Sequence, residues 1–203
     1  MHVTFRGVND AFRGLVQTLD EADRGEGSCK VIRVGSRNGP VMRIVDPVMV
    51  SYDRPRERVL LNAARDASPF LTLYESLWML AGREDVAPLA YYAERMRDYS
   101  DDGETLNGAY GYRWRHSQVP ASFHGHVSGF AMNTILTERK EIDQLKILVE
   151  HLRAKPESRR AVLQMWNVED DLLKIDSSKD VCCNLCVLFS IRPCSELSFT
   201  HQP

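Results

Sequence analysis

The longest apolar run in the chain, Val181–Ile191, is interrupted only at Asn184 and Ser190. A helix that crosses a bilayer needs about 18 or more consecutive apolar residues. The run therefore predicts a buried strand over Cys183–Ile191, and no membrane segment is expected. Four of the five cysteines lie between positions 182 and 194. An odd number of cysteines crowded into one place argues against a secreted disulfide framework and for a reducing, cytoplasmic setting. The start of the chain, Met1-His2-Val3-Thr4-Phe5-Arg6, lacks the apolar core of a signal peptide. With 203 residues, 43% hydrophobic and 27% charged, the chain has enough material for one sizeable domain with a core. A formal charge of -2 gives no general attraction to nucleic acid or anionic membrane, although a local arginine cluster can still bind phosphate.

Local patterns fill in the rest. Val8, Phe12, Leu15, Val16 and Leu19 recur at helical spacing and predict a helix over 8–21, broken by Gly25 and Gly27. Strand-like runs follow at Val31–Val34, Val41–Val45 and Val48–Tyr52, the first two joined by the turn Ser36-Arg37-Asn38-Gly39-Pro40. Residues 53–67 read as irregular. Ser68-Pro69 is a serine cap followed by proline at the first helical position, and Gly82 is a stop, which predicts a helix over 69–81. A helix is expected over 85–97, a turn at Asp101-Asp102-Gly103, and loop-rich chain over 116–141. Ile142, Leu145, Leu148, Val149 and Leu152 mark another helix, ended by Pro156. Ala161–Trp166 reads as a second buried strand. The pattern is that of one α+β domain over 1–203, with no linker and no repeat.

Four features stand out chemically, each with a plainer reading beside it. Cys183 opens the apolar strand; it is either an inert core thiol or a nucleophile. A zinc reading through Cys183, Cys186, Cys194 and His201 has suitable ligands. However, residues 183 and 186 point to opposite faces of a strand. Alternation also separates Cys183 from Cys182. Ser158-Arg159-Arg160, between a helix and a strand, is either a solvated turn or a phosphate clamp built from guanidinium forks. Glu75 has Leu71, Thr72, Trp78 and Met79 as its helical neighbours. A carboxylate on that face is costly unless it is ion-paired or handles protons with a raised pKa. The stretch from Asn107 to Arg115 mixes two glycines with aromatic and basic residues and reads as an aromatic turn or part of a site.

The order and spacing of these pieces resemble the thymidylate synthase family. The matching segments are Tyr74-Glu75-Ser76-Leu77-Trp78-Met79-Leu80-Ala81-Gly82, Asn107 to Arg115, Asp143-Gln144-Leu145, Ser158-Arg159-Arg160-Ala161-Val162-Leu163, Trp166-Asn167, and Cys183 at the head of its strand. The similarity covers roughly 30–192 and looks like a divergent branch found in phages and some bacteria. It implies a thymidylate-synthase-like α+β fold in which helices pack a mixed β-sheet. It also implies methylation of C5 of a pyrimidine deoxynucleotide monophosphate, dUMP to dTMP, with 5,10-methylene-tetrahydrofolate as co-substrate. Related enzymes of the same fold are dCMP and dUMP hydroxymethylases. By resemblance, Cys183 is the nucleophile, Glu75 organises water and relays protons, and Tyr110 stands beside the base. Arg37 holds the nucleotide phosphate, and Arg159 and Arg160 reach the partner's phosphate across a homodimer.

The sequence also departs from the family. Asn184 follows the nucleophile where histidine is common, and is read as a base-adjacent group. The paired tryptophans that flank the folate have no counterpart near Arg95–Tyr99. After Ile191 the family pattern continues with further phosphate, base and folate contacts that this sequence does not show. The expectation is a fold incomplete at its C-terminal side, so a non-catalytic remnant that still folds stands beside the enzyme readings.

Overall fold

The computed structural model describes residues 1–36, 39–120, 139–191 and 197–202. The chain divides into two compact units, Met1–Pro69 and Phe70–Pro203.

In the first unit, β1 (His2–Phe5) pairs in parallel with β4 (Met49–Tyr52), with His2 opposite Met49. Strands β2 (Val31–Val34) and β3 (Val41–Ile44) form an antiparallel hairpin with Val31 opposite Ile44. Helix α1 (Val8–Asp23) packs on β1, β2 and β3 and buries Ala11. Of the residues read as its apolar face, Val8, Phe12, Leu15 and Leu19 are half-buried and Val16 is exposed. Arg37 and Asn38 of the hairpin turn lie outside the described residues. The irregular stretch after β4 contains one 3-10 turn, Ala63–Arg65, capped by the Asn62 side chain.

The second unit opens with α2 (Pro69–Leu80). Gly82 ends it with φ +70, and the main chain closes with Gly82 N–H on Met79 O and Arg83 N–H on Trp78 O at 3.0 and 3.2 Å. The expected helix over 85–97 is two pieces: α3 (Ala87–Tyr92) and a 3-10 turn, Glu94–Tyr99, separated where Ala93 is extended. Helix α4 (Tyr110–Arg115) occupies the stretch read as an aromatic turn. Strands β5 (Ser117–Pro120) and β6 (Arg139–Ile142) pair antiparallel within the segment read as loop-rich. Helix α5 (Gln144–Ala154) starts at Asp143, whose carboxylate accepts from Lys146 N–H at 2.9 Å. Strands β7 (Val162–Gln164), β8 (Cys186–Ile191) and β9 (Leu197–Gln202) form an antiparallel sheet, with Val162 opposite Leu188 and Gln164 opposite Cys186.

Two cores hold this unit. Trp78, Val86, Leu89, Leu106 and Ala109 form one, and the Trp78 indole donates to Asp85 O at 3.0 Å. Leu148, Leu152, Ala161 and Leu163 form the other, joined by Trp114, Val187, Phe189 and Ile191. These contacts correct one expectation. Helix α2 belongs to the first core with α3, and the β7–β8 sheet is covered by α5. Among the described residues the single mixed sheet is replaced by four small sheets. Only the β1–β4 pair is parallel.

The strand expected from Cys183 begins instead at Cys186. Before β8 the ladder gives way to irregular bonds: Leu185 O accepts from both Met165 and Trp166 N–H, at 2.9 and 3.2 Å, and Cys182 N–H donates to the Asp171 carboxylate at 3.2 Å.

Candidate active site

Helix α4 is drawn against α2 by Gly111. A Cβ at this position would run into the main chain of Met79, so only glycine permits the approach. Glu75 lies one turn before Met79 on α2 and Tyr110 is next to Gly111 on α4. The close packing therefore brings both onto one cavity of about 150 Å3, shared with Trp78, Leu89, Met96, Leu106 and Asp180. Burial raises the Glu75 pKa. Among the described residues no ion-pair partner is recorded for Glu75, which separates it from the salt-bridge reading.

The Tyr110 phenol ties this cavity to the nucleophile candidate. Burial raises its pKa first, and the Cys183 and Cys182 thiols add to the rise. The Cys183 main chain acts the other way, favouring the phenolate. The Cys183 thiol itself is exposed, with Val181 O at 3.6 Å as a weak contact. Its neighbour differs sharply. Cys182 is buried, its thiol donates to Asn184 O at 3.1 Å, and burial raises its pKa although the Arg113 charge pulls it down. Cys186 is partly buried on β8. Of the three, Cys183 alone is open to a ligand, and exposure with thiolate character is what sets cysteine reactivity. Asn184 is half-buried.

Two groups were missed from sequence. Asp180 accepts from Gly108 N–H at 2.8 Å, and its carbonyl accepts from Asn107 Nδ2 at 3.0 Å, which fastens the start of α4 to the segment bearing Cys183. Arg113 and Asp171 form a buried ion pair at 2.5 and 3.0 Å. Burial opposes both charges, yet their mutual hydrogen bonds and attraction win: Arg113 is held above its ordinary value and Asp171 below. The faint signal for Asp171 was its position beside Leu172-Leu173 at the end of an acidic run.

Arg159 and Arg160 are exposed and line a cavity of about 550 Å3 with His151, Lys155, Glu157 and Ser158. His151 Nε2 lies 2.6 Å from Ser158 Oγ, which also accepts from Arg160 N–H at 3.1 Å. The arginines precede β7, on the side where Val162 faces Leu188. Cys183 precedes β8, on the side where Gln164 faces Cys186. The pair and the thiol thus sit beyond opposite ends of one antiparallel ladder and are not brought together within the chain. Arg37, Cys194 and the His201 side chain lie outside the described residues, and no group of metal-binding side chains occurs among the described ones. No helix among the described residues is long and apolar enough to cross a membrane.

Glu75 and Tyr110 thus share one cavity near Cys183, and the arginine pair lies apart from them. Residues 30–202 match the family model of thymidylate synthase, and the chain belongs to that family. Over 188 residues it is 41% identical to a deoxyuridylate hydroxymethyltransferase of Pseudomonas phage M6, covering 93% of this chain and 46% of that protein. Over 157 residues it is 34% identical to a deoxyuridylate hydroxymethyltransferase of Bacillus phage SP01, covering 76% of this chain and 37% of that protein. The chain spans less than half the length of these curated relatives.

Proposed function

We propose that this chain carries the nucleophile of a deoxyuridylate hydroxymethyltransferase, in which Cys183 adds to C6 of the base so that C5 can accept a one-carbon unit. The observation that carries the reading is the exposed Cys183 thiol, near enough to the Tyr110 phenol on the Glu75 cavity to help raise its pKa. The names of the two phage relatives favour the hydroxymethyl product.

C5 of uracil is a poor nucleophile. The thiolate pair forms the S–C6 bond, and the C5–C6 π electrons move into an enolate ending on O4, which makes C5 nucleophilic. C5 bonds the methylene carbon carried by the co-substrate and loses its proton to a base. The bond from that carbon to the folate nitrogen then breaks, tetrahydrofolate leaves with the electron pair and takes up a proton, and an exocyclic methylene remains. Water adds to that carbon, giving up a proton, and expulsion of the thiolate restores the C5–C6 double bond. Glu75, whose carboxyl pKa is raised by burial, is suited to pass protons between water and the base. Tyr110 is assigned to stand beside the reacting base, and Asn184 to the base edge. Arg159 and Arg160 fit a phosphate, and their distance along the ladder from Cys183 supports a site completed by the partner of a homodimer. Arg37 is assigned to the same phosphate.

Methylene-tetrahydrofolate is the expected co-substrate. The cavity beside Tyr110, about 150 Å3, is smaller than a pocket for a ligand of that size, so it does not enclose the co-substrate. The thymidylate synthase family model favours a second product, the C5-methyl nucleotide dTMP.

Release of tritium from 5-tritiated dUMP tests the chemistry, and the mass of the product separates hydroxymethyl from methyl. No release from dUMP or dCMP with the co-substrate present contradicts the reading and leaves a remnant that folds without catalysing.

A further inference from the structure

Asp171 is completely buried, and four donors converge on its carboxylate. Arg113 Nη1 and Nη2 donate at 2.5 and 3.0 Å, Asn167 N–H at 2.8 Å, and Cys182 N–H at 3.2 Å. Arg113 spends its remaining donors on main-chain carbonyls: Met165 O at 2.8 Å, and Asn107 O at 3.2 and 2.7 Å from Nε and Nη2. The pair thus grips three segments at once: the loop that enters α4 just before Tyr110, the Met165–Asn167 stretch, and the residue before Cys183.

We infer that Arg113 and Asp171 are positioning residues that fix the segment bearing Cys183 against the start of α4, which bears Tyr110. This rests on the reading of Cys183 as nucleophile. A generic core ion pair needs only its two partners. Here each charged group also bonds main chain on a site-bearing segment, which ties the register of α4 to that of the cysteine. Neither residue touches the thiol; each acts through the backbone.

The positioning role separates from a purely structural one in a double variant. A buried ion pair replaced by apolar residues of similar size often leaves stability unchanged. Here Arg113→Met with Asp171→Leu also strands the Met165 and Asn107 carbonyls and the Asn167 N–H, so it should fold but melt below the native chain while losing the bond to Cys182 N–H. The readout is the rate of Cys183 alkylation by iodoacetamide near neutral pH, with Cys29 as internal reference, followed by peptide mass spectrometry. In the native chain Tyr110→Phe should change the rate of Cys183 alkylation by about fivefold, the scale of one polar contact. In the double variant the same substitution should have no effect, because the two groups are no longer in register. An equal effect of Tyr110→Phe in both backgrounds overturns the proposal, as does no effect in either. If the double variant does not fold, Asp171→Asn, which keeps the shape, is read in the same way. Absence of any nucleotide adduct on Cys183, with the Tyr110 effect still dependent on the pair, contradicts the nucleophile reading and leaves the positioning role standing.

Discussion

Gly111 on α4 and Met79 on α2 approach so closely that no side-chain carbon fits between them. This contact places Glu75 and Tyr110 on a common cavity. Gly111→Ala sets two effects against each other. Alanine favours a helix by roughly 0.5–1 kcal/mol over glycine, whereas forcing a methyl group into packed backbone costs about 1–3 kcal/mol. The clash is with main chain, which cannot swing aside, so the second effect wins. Urea unfolding should show a net loss of stability.

Glu75 is desolvated with no recorded counter-charge among the described residues, so its folded-state pKa lies above the unfolded one. The folded chain then binds the proton more tightly. Stability is highest below the unfolded value near pH 4.3 and falls as pH rises through the folded pKa. Glu75→Gln should accordingly be at least as stable as the native chain near neutral pH, with the difference disappearing in acid. In an active assembly it should lower turnover by about 10²-fold or more, as expected for a lost acid-base group. A variant destabilised near neutral pH would restore the salt-bridge reading.

Asp171 behaves in the opposite sense. Its folded pKa is depressed by Arg113 and by the Asn167 and Cys182 N–H groups, although burial opposes this. The stabilisation is present above the unfolded value near pH 3.9 and is lost as pH falls through the folded one. Asp171→Ala strands a buried guanidinium and should cost about 3–5 kcal/mol near neutral pH. The native chain should lose stability on acidification below about pH 4, and the variant should lose less. Urea midpoints at both pH values check this.

The arginine pair gives a test of assembly. Chains carrying Cys183→Ser and chains carrying Arg159→Ala with Arg160→Ala should each be inactive. Mixed after reversible dissociation, they should regain about a quarter of the sites, because half the dimers are mixed and one site of each is intact. No recovery on mixing would place the arginines and the thiol in the same chain's site, against the ladder geometry.

What could be read in advance follows from where the determining forces act. Helix α2 was legible because Ser68-Pro69 and Gly82 are local start and stop signals, and α1 because its apolar residues keep helical spacing. Helix α4 was not legible. Gly108, Gly111 and the aromatic residues weaken helix propensity, and what holds the segment is tertiary: Arg113 bonded to Met165, Asn107 and Asp171. The start of β8 was misplaced for a related reason, since the bonds before it, Leu185 with Met165 and Trp166 and Cys182 with Asp171, join positions far apart in pattern. Glu75 was legible as a carboxylate on an apolar helix face. Asp171 and Asp180 were not, because an aspartate in a polar stretch looks the same whether it is solvated or gripping main chain.

Covalent capture on Cys183 bears most directly on the central claim. The chain is incubated with a C5-fluorinated deoxyuridylate and methylene-tetrahydrofolate; the fluorine cannot leave as the C5 proton does, so the adduct persists. Peptide mass spectrometry should find the nucleotide on Cys183, exposed where Cys182 is buried. The adduct should be lost in Cys183→Ser and retained in Cys182→Ser and Cys186→Ser. An adduct on Cys182 or Cys186, one that survives Cys183→Ser, or no adduct on any cysteine would contradict the account.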